Sequence, residues 1–93
     1  MTYQFISDSG HGWLKVRHSE LKELGIQDKI SLCSYSNGVW AYLEEDCDAS
    51  VFINAIGGID NLDIRVDYID GHCYVREYNR YPASAHFSST IER

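Results

Sequence analysis

The chain is short of proline, of basic charge, of internal repetition and of long apolar runs, and each shortage narrows what it can be. One proline in 93 residues, with no stretch rich in Gly, Ser or Pro, leaves nothing that reads as an interdomain linker or a low-complexity tract. No segment approaches the roughly 18 apolar residues of a membrane-spanning helix. The opening MTYQFISDSGHGW carries neither the basic start nor the apolar run of a signal peptide, so a cytoplasmic location and no membrane contact are expected. Cysteine is also sparse. Cys33, Cys47 and Cys73 are an odd number with no CxxC pair, which favours reduced thiols acting as small buried hydrophobes over a disulfide framework.

Basic residues number eight against fourteen acidic ones, for a formal net charge of −6. That balance argues against direct binding of nucleic acid through its phosphates. It favours a partner with a basic surface. Hydrophobic residues at 44% are those of an ordinary globular domain, and the length suits one small core.

Alternation in YQFI (3–6) and WLKVR (13–17) predicts two strands joined by the turn-rich SDSGHG (7–12). Ser19 reads as the cap of a short helix that Gly25 stops. Asn37-Gly38 is a strong hairpin signal, with both residues expected at the centre of a type I′ turn. Tyr35 then faces Trp40 and Cys33 faces Tyr42. Ile30, Leu32, Val39, Ala41 and Leu43 occupy one face of that hairpin, and Cys33, Tyr35, Trp40 and Tyr42 the other. Asp48 reads as the cap of a second helix at 49–56, stopped by Gly57-Gly58. Asp70-Gly71 predicts a second hairpin in which Tyr68 faces Cys73 and Val66 faces Val75. The expected order is β-β-α-β-β-α-β-β: one α+β domain over residues 1–79, a mixed or antiparallel sheet with both helices on one face. Residues 80–93 read as a partly ordered tail.

The functional signal is concentrated at one junction. In VWAYLEEDCDASVFINA (39–55) a strand runs into Glu44, Glu45, Asp46 and Asp48 before the second helix. Carboxylates there either cap the helix or meet a basic partner. The Asp46/Asp48 pair lacks the oxygen spacing of a calcium loop. His11 or His18 could reach a cysteine only by long-range convergence. No cofactor, metal or catalytic residue is therefore assigned. The partner-binding set is Glu44, Glu45, Asp46 and Asp48 for charge, with Tyr35, Trp40 and Tyr42 as aromatic anchors.

HGWLKV (11–16), LGI-x-DKIS (24–31), SYSNG (34–38) and YLEEDCDASVF (42–52) together resemble small uncharacterised proteins carried by phages and plasmids, over about residues 3–79. That resemblance implies an accessory protein of a mobile element that blocks a host defence, of the anti-CRISPR or anti-restriction type, and carries no catalytic motif. The leading expectation is a non-enzymatic acidic inhibitor of a host protein with a basic, nucleic-acid-binding surface. Two alternatives stand beside it: a homodimer that pairs its aromatic sheet faces, and a small metal- or thiol-dependent enzyme using His11, Cys47 or His72.

Overall fold

The computed structural model describes residues 2–82. Six strands form one mixed sheet: β1 (Thr2–Ser7), β2 (Gly12–Arg17), β3 (Tyr35–Asn37), β4 (Trp40–Glu44), β5 (Asp63–Tyr68) and β6 (Asn79–Arg80), in the order β5-β1-β2-β4-β3-β6. Only β1 and β5 run parallel; the other neighbours are antiparallel. Helices α1 (His18–Glu23) and α2 (Ala49–Ala55) complete an α+β fold.

The period of two in β1, β2 and β4 separates two cores. Leu14, Val16, Ala41 and Leu43 lie on one side, packed with Leu21 of α1 and with Ala49 and Phe52 of α2. Both helices therefore cover one face, as expected. α1 starts two residues ahead of the expected Ser19 cap: Arg17 occupies the cap position, and Glu20 accepts its N–H at 2.8 Å. Gly25, at φ +71, ends this segment as expected.

The first hairpin forms with its turn one residue later than expected, which moves each cross-strand partner by two. Tyr35 pairs with Tyr42 and Asn37 with Trp40, so Gly38 and Val39 make the turn in place of Asn37 and Gly38. Gly38 sits at φ +62 and no non-glycine residue among the described ones has positive φ, which is the type II′ pattern: one glycine, at the first central position. This turn spares Asn37 the left-handed conformation that a type I′ turn would impose. The slide moves both strands together, so Tyr35, Trp40 and Tyr42 still share a face and Ala41 and Leu43 the other.

The second hairpin does not form. β5 joins β1 in parallel, Thr2 to Asp63 through Ser7 to Tyr68, while Tyr74–Glu77 winds into a 3₁₀ turn. Val66 is exposed and Val75 fully buried, so they are not neighbours across a turn. Two forces defeat the expected pairing. A hairpin would set Arg65 against Arg76, whereas here Arg76 reaches Asp8, with Nε to Oδ2 at 2.8 Å and Nη2 to Oδ1 at 3.1 Å. The aromatic face of the sheet also needs a cover. Cys73 and Val75 provide one, packing with Ile6, Trp13, Tyr35 and Tyr42 in a second core. The domain also runs past the expected boundary at residue 79. Arg80 pairs with Tyr35 in the sheet, and Tyr81 is buried in the helix-side core, its hydroxyl donating to the Gln27 carbonyl at 2.6 Å. The rest of the expected tail, from residue 83, lies outside the described residues.

Candidate functional site

The acidic run divides into two internal carboxylates and two external ones. Glu44 is the last residue of β4 and points to the same side as Trp40 and Tyr42, into the second core, where it is 5% exposed. Its Oε1 accepts the N–H groups of Asp46 (2.9 Å) and Cys47 (3.0 Å), so it closes the turn that leaves the strand. Asp48, 3% exposed, occupies the cap position of α2 but makes no side-chain cap bond. Its Oδ2 instead accepts the Ser31 N–H (3.0 Å) and the hydroxyls of Ser31 (2.8 Å) and Ser34 (2.6 Å). The Ser34 hydroxyl in turn accepts the Glu44 N–H at 3.0 Å. Glu45 and Asp46 are exposed at the tip of this braced turn. Of the four expected partner-binding acids, two are therefore structural and two are presented to solvent.

The aromatic anchors divide as well. Tyr35 and Tyr42 are buried in the second core, with Tyr78 tilted over Tyr42 at 5.1 Å between centroids. Burial, then the Tyr78 hydroxyl beside it, push the Tyr42 phenol above its ordinary range. The face expected to receive a second subunit is thus largely covered by residues 69–78 of the same chain. Trp40 alone stays half-exposed, at the opposite end of β4, about 13 Å from Glu44 along the strand. Lys15 Nζ lies 4.2 Å from its ring centroid and the Arg17 guanidinium 4.6 Å. Neither cation pairs with a carboxylate among the described residues. The two ends of β4 therefore carry opposite charge, and Trp40 does not join the acids in one patch.

A cavity of about 310 Å³ opens beside the acidic turn, lined by Trp13, Glu44, Asp46, Cys47, Arg76 and Arg80 among others. Trp13 and Glu44 stand directly opposite each other across β2 and β4. Each holds one buried polar atom with no hydrogen-bond partner among the described residues: the donor Trp13 Nε1 and the acceptor Glu44 Oε2. Native interiors leave few such atoms. Arg76 is committed to Asp8, and Arg80 lies over the Tyr35 ring, donating to the Leu32 carbonyl at 3.1 Å. Trp13 Nε1 and Glu44 Oε2 are both buried, so they lie behind the wall of the cavity and are not presented to solvent.

Asp8 carries no signal in the acidic run, yet it organises this end of the molecule. Its Oδ1 accepts the N–H groups of Gly10 (2.9 Å) and His11 (2.8 Å), an Asx turn inside SDSGHG. The D-x-G spacing is the signal that could have found it. His11, His18 and His72 do not converge. His11 contacts Arg76, His18 meets the Ser36 hydroxyl, and His72 pairs with Glu77. No group of three or more His, Cys, Asp or Glu among the described residues is arranged to hold a metal.

The expectation of buried thiols holds for Cys73 alone. Cys33 and Cys47 are both exposed, with the Cys47 thiol donating to the Cys33 sulfur at 2.8 Å. The Cys33 thiol, then burial, then Glu44, push the Cys47 thiol up to about 12. No helix among the described residues is long and apolar enough to cross a membrane. Compared with known proteins, the chain matches no protein-family model, no curated protein and no solved structure.

Proposed function

We propose that the chain is a non-enzymatic binding protein whose acidic turn docks on a basic surface of another protein, such as the nucleic-acid-binding face of a host defence component. The observation that carries this reading is the exposure of Glu45 and Asp46 at the tip of a turn that the buried Glu44 and Asp48 brace from inside. A lysine or arginine side chain of a partner can meet the Glu45 and Asp46 carboxylates from solvent. Preorganisation supports the same reading. Glu44 and Asp48 hold the turn rigidly, so little conformational entropy is lost on docking. Lys15 and Arg17 at the far end of β4 repel a basic partner, which fixes its orientation. Glu45→Lys/Asp46→Lys tests the idea, because both residues are exposed and their reversal should move stability by no more than about 0.5 kcal/mol. Association with basic protein partners from a host lysate should slow at least tenfold at low salt, and less at high salt. A folded double mutant that retains every wild-type partner would overturn the reading.

A second reading, self-association, is favoured by one observation. β5 ends the sheet with no neighbour on its outer edge among the described residues, and Val66 and Tyr68 on it are 64% and 60% exposed. Antiparallel pairing with a second copy, centred on Val66, sets Arg65 against Asp67 and Ile64 against Tyr68 in both directions. That self-complementary pattern is what a two-fold edge-to-edge dimer requires. Sedimentation over a range of concentrations should show a dimer that Val66→Lys abolishes. A monomer at every concentration removes this reading.

A further inference from the structure

We infer that Cys33 and Cys47 are a paired-thiol site that closes to an intramolecular disulfide, stapling the loop at 31–34 to the turn at 44–48. Their sulfurs already lie 2.8 Å apart, against about 2.05 Å in a disulfide, and both side chains are exposed to an oxidant. The backbones that carry them are fixed on either side. Cys33 N–H donates to the Ser31 hydroxyl at 3.1 Å, and Ser31 and Ser34 both donate to Asp48. Cys47 is held by its own N–H on Glu44 and by Asp48, the next residue. The two sulfurs thus meet through a network built by other residues, and closure asks for movement of less than an ångström between them. The site stands independently of the binding reading, since it rests on the Cys33 and Cys47 sulfurs and not on Glu45 or Asp46.

The oxidant is a small-molecule disulfide of the glutathione class. Cys33, whose sulfur accepts the Cys47 hydrogen bond, attacks one sulfur of the oxidant and expels the first small thiolate, leaving a mixed disulfide. Cys47 then releases its proton, attacks Cys33 Sγ and expels the second thiolate. Two protein thiols are oxidised, one small disulfide is reduced to two thiols, and the two protons end on the leaving groups. Because Cys47 is already in contact, the mixed disulfide should not accumulate.

The test uses the full chain equilibrated with oxidised glutathione. Before oxidation two thiols should react with a thiol reagent in native buffer, and the buried Cys73 only in urea. Afterwards none should react natively and one in urea. Cleavage after Glu45 should leave the Cys33 and Cys47 fragments joined, with no glutathione attached. Cys73→Ser should behave identically, and Cys33→Ser should instead retain glutathione on Cys47. Stable glutathione adducts on the wild type, a bond between two chains, or two thiols still free would each overturn the inference. The wild-type fragment map decides the question even if Cys33→Ser fails to fold.

Discussion

Replacing Asp48 by alanine should cost about 3–4 kcal/mol in urea melts, several times the ~1 kcal/mol of an ordinary helix cap. The reason is where its carboxylate points. One oxygen serves the Ser31 N–H and the hydroxyls of Ser31 and Ser34, at 2.6–3.0 Å, and Asp48 and Ser34 are both buried. Truncation strands buried donors in a site that the missing side chain does not hydrate. It also frees Ser34 to rotate away from the Glu44 N–H that it currently receives. Asp48→Asn, which keeps one acceptor oxygen, should cost markedly less. Because Asp48 and Ser34 share a bond, Ser34→Ala and Asp48→Ala should combine non-additively in a double-mutant cycle. A loss near 1 kcal/mol with additive behaviour would return Asp48 to the role of a plain cap, and would loosen the bracing on which the acidic turn depends.

The division of that acidic run was partly legible in the sequence. Glu44 shares the parity of Trp40 and Tyr42 on a strand, so any cover over the aromatic face had to bury it too. What hid this was the cover itself. Asp70-Gly71 looks like the centre of a hairpin, and a hairpin there leaves the aromatic face bare. The chain does bend there, with Gly71 at φ +87, but it then crosses the sheet where the hairpin reading would return it along β5. That choice is settled by contacts distant in sequence, Arg76 with Asp8 and Val75 with Trp13, which no local pattern announces. The parallel pairing of β1 with β5 is hidden for the same reason.

Local signals fared better where the answer was local. Gly25, Gly38 and the Gly57-Gly58 pair all take positive φ and punctuate the elements they were expected to punctuate. The turn falls one residue later than Asn37-Gly38, and the pairing shifts by two, because type I′ and type II′ turns both accept glycine and differ only in which position needs it. Since strand faces depend on parity alone, the shared face of Tyr35, Trp40 and Tyr42 survives that error. The contact of Cys33 with Cys47 is of the other kind. It follows from the bracing of two loops by Asp48, and neither cysteine's spacing nor its neighbours point to it.

The tie between Asp8 and Arg76 should be the most acid-sensitive feature of the fold. Arg76 holds the Asp8 carboxyl below the ordinary carboxylate range; burial opposes this, and the Gly10 and His11 amides reinforce it. A carboxyl depressed in the folded state contributes its full stability above its unfolded pKa, about 4, and loses it as pH falls through the lower folded value. Wild-type stability should therefore drop steeply below about pH 4. Asp8→Asn has no proton to bind there, so it should start less stable at pH 7 and fall less steeply, the two curves converging toward pH 2. Asp8→Ala should cost about 3 kcal/mol at pH 7, since it leaves a partly buried guanidinium without its partner. The damage should be directional. Arg76 lies 5.1 Å from the Trp13 ring centroid and anchors the segment that buries Tyr35 and Tyr42. Hydrogen exchange should therefore quicken at residues 73–78 and in β3 before it does in α1 or α2. Uniform loosening of both cores, or parallel pH profiles for wild type and Asp8→Asn, would show that the second core is held by its apolar contacts alone.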